Sequence, residues 1–324
     1  MNGIIGAFLN DFPGDGFKPA FAAQATARGY AVRFLDYGHV SDAELEGLTC
    51  LFGHPGAEVL GRTRNLAFFC NCWAGMDAYR EEDLAGSPGC LVTNSSGAYG
   101  LMIAEHVVMA LLMLYHRQRE YDILVRAGEW HRVSGTIDTL YGKRVTLLGT
   151  GDIGREVAKR LRPFGVACIR GVSRSGRAVE GFDDVHAVAG LDALLPETDI
   201  LICAVPGTGE TRGLLTRERL VSLPRGAVFC NVGRGSLVDQ DALTELLVDG
   251  RLGGAVVDVT EPEPLGADHP LRFLDNVILT PHIAGSLVAL EETCRRTVAM
   301  FFEDLDRFTA GQPLRYTASL ERGY

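Results

Sequence analysis

The apolar positions of this chain fall into two successive series of short runs separated by helix-spaced stretches. In the first series, Ile4 to Leu9, Val32 to Leu35, Leu51 to Gly53, Leu66 to Cys70 and Leu91 to Thr93 have strand length, while Lys18 to Arg28 and Ala57 to Thr63 carry helical spacing. That alternation predicts βαβ units, in which helices cover a parallel sheet. From Leu101 to about Arg126 the pattern predicts one long helix, too apolar for a lone surface helix and therefore buried between domains or subunits. A second series starts at Arg144, with strands predicted at Val145 to Leu148, Ala167 to Val172, Ile200 to Val205, Ala227 to Asn231, Gly254 to Val259 and Val277 to Thr280. Helices are predicted between them at Gly154 to Pro163, Thr216 to Ser222 and Asp239 to Asp249. Six strands so connected predict a doubly wound sheet. The last helix, Leu287 to Thr309, is placed to cross back and complete the first unit.

A length of 324 residues exceeds what one core usually supports, so two α/β domains are expected. Hydrophobic residues at 47% and charged residues at 22% are ordinary values for a chain that folds throughout. The net charge of -10 disfavours a nucleic-acid partner, because such proteins need a basic face to displace counterions. The opening segment, MNGIIGAFLNDF, lacks a basic region and reads as a strand, not an export signal. Val107 to Tyr115, the longest apolar run, is far short of the roughly 20 residues that span a bilayer, so a cytoplasmic protein is expected. Cysteines at 50, 70, 72, 90, 168, 203, 230 and 294 never form Cys-x-x-Cys, which favours buried free thiols over a metal site or disulfides.

Gly149-Thr150-Gly151-Asp152-Ile153-Gly154 fits G-x-G-x-x-G, and its setting gives it meaning: it follows a predicted strand and opens a predicted helix. The first glycine permits the turn, the second lets backbone approach a pyrophosphate, and the third lets helix pack on strand. The helix N-terminus offers unpaired N–H groups to the anion. An NAD site places an acid at the end of the next strand to bind the ribose hydroxyls. Here that strand ends Val172-Ser173-Arg174-Ser175-Gly176-Arg177, with no acid before Glu180. Arg174 and Arg177 can pair with a 2′-phosphate and Ser173 can donate to it, so NADP(H) is preferred, with NAD(H) the alternative and a merely solvated loop the bland reading.

Three ionisable residues fall in Gly- or Pro-marked turns where later strands end: Arg234 in NVGRG, Glu263 in DVTEPEP and His282 in TPHIAG. Carboxyl ends of strands are where open α/β sheets bind ligands. Reducing a 2-oxoacid needs a cation to hold the carboxylate and an acid to protonate the oxygen as hydride arrives. A guanidinium suits the first task, and an imidazole steadied by a carboxylate suits the second. Singly, Arg234 could be a surface arginine, Glu263 a solvated acid and His282 a cap; jointly they point to catalysis.

These blocks resemble the D-isomer-specific 2-hydroxyacid dehydrogenases, through GKRVTLLGTGDIG, CNVGRGSLVDQDAL, DVTEPEPL and NVILTPHIAG, with NSSGAYGLMIAEH and GQPLRYTASLERGY extending the likeness over nearly the whole chain. The separations of 29 residues from Arg234 to Glu263 and 19 from Glu263 to His282 are those of the family. The resemblance implies a Rossmann nucleotide-binding domain over 99–287 and a smaller flavodoxin-like substrate domain over 1–98 plus 288–324. It implies that Arg234, Glu263 and His282 are catalytic, and that Asp152 and Ile153 meet the pyrophosphate. Val205, Pro206 and Thr211 would lie along the cofactor, Val232 and Asp258 near the nicotinamide. The Ala74-Gly75 backbone would receive the substrate carboxylate, with Trp73, Tyr99 and Met102 shaping the pocket. The sequence departs from the family in a segment between Gly154 and Ser173 that is one residue longer, and in Thr260, where an aromatic residue is common.

The expected activity is hydride transfer between NADP(H) and a small 2-oxoacid such as glyoxylate or hydroxypyruvate. The alternatives are a phosphoglycerate- or phosphite-dehydrogenase-type member and a corepressor-like sensor of dinucleotides. The chain's end at Tyr324 leaves no room for an added regulatory domain on this reading, and the apolar stretch from Leu101 points to a homodimer.

Overall fold

A computed structural model describes residues 3–133, 135, 137–285, 291–321 and 323. The chain divides into two compact units, one built from the residues up to Tyr99 and those after Gly285, the other from Gly100–Gly285.

In the first unit, β1 (Gly3–Phe8), β2 (Tyr30–Leu35), β3 (Leu48–Gly53), β4 (Phe68–Asn71) and β5 (Leu91–Asn94) alternate with α1 (Phe17–Ala27), α2 (Asp42–Leu45) and α3 (Ala57–Arg62). The sheet is parallel, in the order β2-β1-β3-β4-β5. The four residues of β4, Phe-Phe-Cys-Asn, are all buried, the unbroken burial of a strand covered on both faces. The closing helix, Glu291–Thr309, belongs to this unit. It sets Phe301 and Phe302 against Phe21, Phe52 and Phe68 with ring centroids 4.8 to 5.7 Å apart. Aromatic pairs at these separations add about 0.5–1.5 kcal/mol each to the gain from burial, which ties the end of the chain to its beginning. The helix start expected at Leu287 lies outside the described residues.

The second unit contains α4 (Gly100–Tyr115), α5 (Gln118–Arg126), β6 (Arg144–Leu148), α6 (Asp152–Leu161), β7 (Cys168–Ser173), β8 (Asp184–Ala187), α7 (Leu191–Leu194), β9 (Ile200–Cys203), α8 (Arg217–Ser222), β10 (Val228–Asn231), α9 (Gln240–Val248), β11 (Gly254–Val257) and β12 (Val277–Leu279). Its parallel sheet runs β12-β11-β10-β9-β6-β7-β8. The expectation of six strands is corrected to seven: β8 (Asp-Val-His-Ala) is an edge strand with no fully buried residue, so it lacks the apolar run that marks the others.

The single helix expected from Leu101 to Arg126 is also corrected. It is two helices, separated where Arg117 adopts the left-handed conformation (φ 53°) and its guanidinium turns to Glu120 at 2.6 Å. The apolar part ends with α4, which buries Ile103, Ala104, Val107, Ala110 and Leu111 and packs on α6 and β11 of its own unit, whereas α5 buries nothing. Among the described residues no helix is long and apolar enough to cross a membrane. Among the described residues no disulfide is formed; Cys90 and Cys168 are only partly buried, and burial pushes the Cys50 and Cys70 thiols up to about 12.

One ion pair anchors the centre of the second sheet. Asp199, directly before β9, accepts from the Arg144 backbone N–H at 2.8 Å and from its guanidinium at 2.8 and 3.0 Å, joining the amino ends of β6 and β9. The Arg144 hydrogen bond holds the Asp199 carboxyl below its ordinary pKa. A lowered folded-state value means that the stabilisation is complete above the unfolded value of about 3.9 and is lost as pH falls through the folded one. Asp199→Asn should therefore cost about 1–2 kcal/mol at neutral pH, and chemical denaturation curves of variant and wild type should converge as the pH drops below 4.

Candidate active site

The order of the second sheet places a crevice between β6 and β9, because the chain leaves β6 towards β7 and β8 and then returns to β9 on the other side. Loops leaving two adjacent strands in opposite directions open a cleft at their carboxyl ends. The glycines of the first loop match their expected tasks. Gly149 has φ 103°, and a Cβ there would strike the Ala204 carbonyl oxygen. A Cβ on Gly151 would meet nothing within 4 Å, so this backbone faces open space. A Cβ on Gly154 would collide with the Gly149 carbonyl, so only glycine lets α6 sit this close to the strand. The Asp152 carboxylate turns away to accept from the Gly100 N–H at 2.8 Å, at the start of α4, leaving the Asp152–Ile153 contribution to an anion to the first-turn backbone.

Neighbouring loops line the same crevice. A Cβ on Gly149 would lie 3.2 Å from Val205 Cγ1, and one on Gly233 would lie 2.6 Å from the Val205 oxygen, so three loops meet at Val205. The Thr211 hydroxyl donates to the Pro206 oxygen at 2.7 Å and accepts from the Thr208 N–H at 2.8 Å, closing the loop after β9. Val232 is buried and donates its N–H to Cys203. After β7, the Ser173 hydroxyl accepts from the Gly176 N–H at 3.1 Å, and the turn presents Arg174 and Arg177 to solvent. Among the described residues no carboxylate pairs with either guanidinium.

The register Asn231 to Val257 to Leu279 brings Arg234, Glu263 and His282 to one edge of the sheet. His282 itself has φ 55°, a conformation costly for a non-glycine residue, and its N–H donates to the Asp258 carbonyl at 2.8 Å. The Asp258 carboxylate, 3% exposed, receives the Thr280 hydroxyl at 2.6 Å and the amides of Ile283 and Ala284 at 2.9 and 3.0 Å, which holds the turn in that conformation. The turn aims His282 Nδ1 at Glu263 Oε2, 2.8 Å away. Glu263 is held from behind, its other oxygen accepting the Thr260 N–H at 3.0 Å. An ionised carboxylate only accepts, so Nδ1 carries the hydrogen and Nε2 is left to exchange a proton elsewhere.

The Arg234 loop is set by buried Asn231, whose side chain accepts from the Gly233 N–H at 3.0 Å and donates to the Arg234 oxygen at 2.9 Å. The adjacent Gly235 admits no Cβ, because one would overlap the Thr260 carbonyl group. The Arg234 loop thus rests on the segment that holds Glu263, and a cavity of about 470 Å³ lined by Thr260, Glu263, Thr280 and His282 opens beside it.

Sequence reasoning missed Asn231, Thr280 and His106. All three stand in the quoted blocks, but a polar residue ending an apolar strand, as Asn231 and Thr280 do, carries no sign of its partner. His106 is buried in α4 with Nε2 3.4 Å from the Thr280 hydroxyl, and burial holds its pKa below the ordinary value against the pull of Asp258. A histidine in an apolar helix gives no sequence signal beyond that of a core residue.

In the first unit, the turn after β4 is drawn inward by its carbonyls. Asn71 Nδ2 donates to the Gly75 oxygen at 2.8 Å, Asn94 Nδ2 to the Ala74 oxygen at 2.6 Å, and the Ser95 N–H to the Trp73 oxygen at 3.1 Å. The Ala74 and Gly75 amides have no acceptor among the described residues, which suits them to an anion. Tyr99 is buried with its hydroxyl spent on the Cys72 oxygen, while Trp73 is 49% exposed.

Residues 108–284 match the family model described as D-isomer specific 2-hydroxyacid dehydrogenase, NAD binding domain. A glyoxylate reductase of Thermofilum pendens is 35% identical over 248 residues, 75% of this chain and 73% of the relative. The solved D-isomer specific 2-hydroxyacid dehydrogenase of Xanthobacter autotrophicus Py2, in complex with NADPH and MES, aligns over all of both chains with TM-score 0.81 and 33% identity. The NADPH-dependent glyoxylate/hydroxypyruvate reductase of Sinorhizobium meliloti, in complex with NADP and sulfate, aligns over 99% of both with TM-score 0.78 and 27% identity. The chain belongs to the D-isomer-specific 2-hydroxyacid dehydrogenase family, and is an NAD(P)-dependent oxidoreductase acting on the CH–OH group of its donor.

Proposed function

We propose that this enzyme interconverts a small 2-oxoacid and the D-2-hydroxyacid with NADP(H), using Arg234, Glu263 and His282. The observation that carries the reading is the 2.8 Å bond between His282 and Glu263 at the carboxyl edge of a sheet whose glycine turn leaves open space at Gly151. The bound nicotinamide supplies or receives the hydride. Arg234 is the cation for the substrate carboxylate and polarises the C2 carbonyl, and the Ala74 and Gly75 N–H groups are donors suited to a carboxylate. His282 Nε2–H protonates the oxygen that develops at C2, and recovers that proton in the reverse direction. Glu263 accepts from the Nδ1–H and keeps the ring oriented. In this reading the dinucleotide site of the second unit runs over Gly149, Gly151, Ile153, Gly154, Val205, Pro206, Thr211, Val232 and Asp258, which follows β11.

Exposed Arg174 and Arg177, with Ser173 and no acid before Glu180, support NADP(H) as the preferred cofactor. The enzyme works as a homodimer on this proposal. The segment after α4 supports this: it exposes Ile123 and Val125 at 54%, Trp130 at 90% and Ile137 at 54%, more apolar surface than a lone copy keeps in water.

With glyoxylate or hydroxypyruvate as substrate, kcat/KM should be higher for NADPH than for NADH, and Arg174→Ala with Arg177→Ala should erase that preference; an enzyme that favours NADH would overturn the cofactor reading. His282→Ala should lower turnover by roughly two to four orders of magnitude with NADPH still binding in a fluorescence titration, and undiminished turnover would reject the acid/base role. Sedimentation at micromolar concentration should show a dimer that Trp130→Glu converts to monomer.

A further inference from the structure

His54 follows β3, and the register pairs Gly53 with Asn71, so His54 stands beside the 72–75 turn at the carboxyl edge of the first sheet. Its ring lies parallel to the Trp73 indole, with centroids 4.0 Å apart and planes 4° apart. His54 Nδ1 is 3.0 Å from Asn71 Oδ1 and 3.0 Å from the Tyr79 hydroxyl oxygen. Both of those oxygens are acceptors. Asn71 Nδ2 is spent on the Gly75 oxygen, so its Oδ1 faces the imidazole; the Tyr79 hydrogen goes to the Pro55 oxygen at 2.6 Å, so its oxygen accepts as well. Two acceptors on one ring nitrogen require a hydrogen there, which settles the tautomer: Nδ1 is protonated and Nε2 carries a lone pair. Burial disfavours the charged ring and lowers its pKa, Asn71 and Asp77 acting in the opposite sense.

Asn71 and Tyr79 are 0% and 2% exposed, so Nδ1 points into the protein and Nε2, on the opposite edge of the ring, points out of it. Nε2 has no partner among the described residues. The edge of the first sheet therefore offers two amide donors, at Ala74 and Gly75, and one neutral acceptor, at His54.

We infer that His54 is a specificity-determining residue whose Nε2 accepts a hydrogen bond from a donor on C3 of the substrate, so that 2-oxoacids with a C3 hydroxyl are chosen over those with a bare methyl. The inference rests on the dehydrogenase reading above, in which the substrate carboxylate lies on the Ala74 and Gly75 amides. C3 is separated from that carboxylate only by the reacting carbon, which makes a C3 substituent the nearest inert group for a neighbouring side chain to read. The same lone pair repels a C3 carboxylate, so a dicarboxylic 2-oxoacid is disfavoured. An acceptor that the bound substrate shields from water and leaves unpaired is the usual basis of such selection.

The test compares kcat/KM of the NADPH-loaded enzyme for hydroxypyruvate, pyruvate and oxaloacetate in the wild type, His54→Phe and His54→Gln. Phenylalanine keeps a flat ring against Trp73 but has no acceptor, whereas the glutamine carbonyl can replace Nε2. The wild type should prefer hydroxypyruvate, His54→Phe should lower the hydroxypyruvate-to-pyruvate ratio about tenfold, as expected for one neutral hydrogen bond, and His54→Gln should keep most of it. A wild type indifferent to the C3 hydroxyl, or a His54→Phe enzyme with an unchanged ratio, overturns the inference while pyruvate reduction upholds the dehydrogenase reading. A wild type that reduces none of the three acids overturns both.

Discussion

The second unit is organised around a carboxylate that water cannot reach. Asp258 is 3% exposed and takes its hydrogen bonds from the Thr280 hydroxyl and the Ile283 and Ala284 amides. A buried charge of this kind is tolerable only when donors surround it. Those donors all belong to one short turn, so satisfying the charge dictates the turn. That is why His282 can hold φ 55°, and why its ring reaches Glu263. The proposed acid/base pair is exposed to substrate, with 45% and 38% of the two side chains accessible, yet its position is set by a group wholly inside the protein.

The same logic of close approach governs the cofactor crevice. Gly149, Gly233 and Gly235 each stand where a Cβ would meet backbone of an adjacent loop, so the loops after β6, β9, β10 and β11 are drawn together, while Gly154 stands where a Cβ would meet the Gly149 carbonyl of its own turn. Gly151 alone in that group faces empty space, which is what an approaching diphosphate needs. The Arg144–Asp199 pair at the opposite ends of β6 and β9 keeps the two strands that border the crevice side by side. In the first unit, Asn71 plays a part like that of Asp258: it is buried, it ends a strand, and its side chain fixes both the carbonyl of Gly75 and the tautomer of His54.

Patterns with strong periodicity were readable in advance. Apolar runs marked the strands of both sheets except β8, whose exposed edge position removes the selection for apolar residues on either face. The glycine turn was readable because each glycine has a distinct steric duty. Arg234, Glu263 and His282 were readable because each occupies a marked turn after an apolar strand. The break at Arg117 was not, since it depends on a left-handed residue and a local ion pair with Glu120, and neither Gly nor Pro announces it. Thr280 and His106 were not readable either, because their partners are distant along the chain, His106 and Thr280 being 174 residues apart, and Asn231 was not, because a polar residue at a strand end does not show which backbone groups of the next turn it will bind.

By itself, then, the order of residues determined the alternation of strands and helices, the location of the glycine turn and the identity of the ionisable groups, because these follow from side-chain periodicity and local backbone sterics. Tertiary structure decided which of those groups meet, which carboxylate is exposed at the site and which is buried beneath it, and which nitrogen of His54 and of His282 holds its hydrogen. Those outcomes depend on hydrogen-bond partners brought from other strands, and a one-dimensional pattern has no means of pairing them.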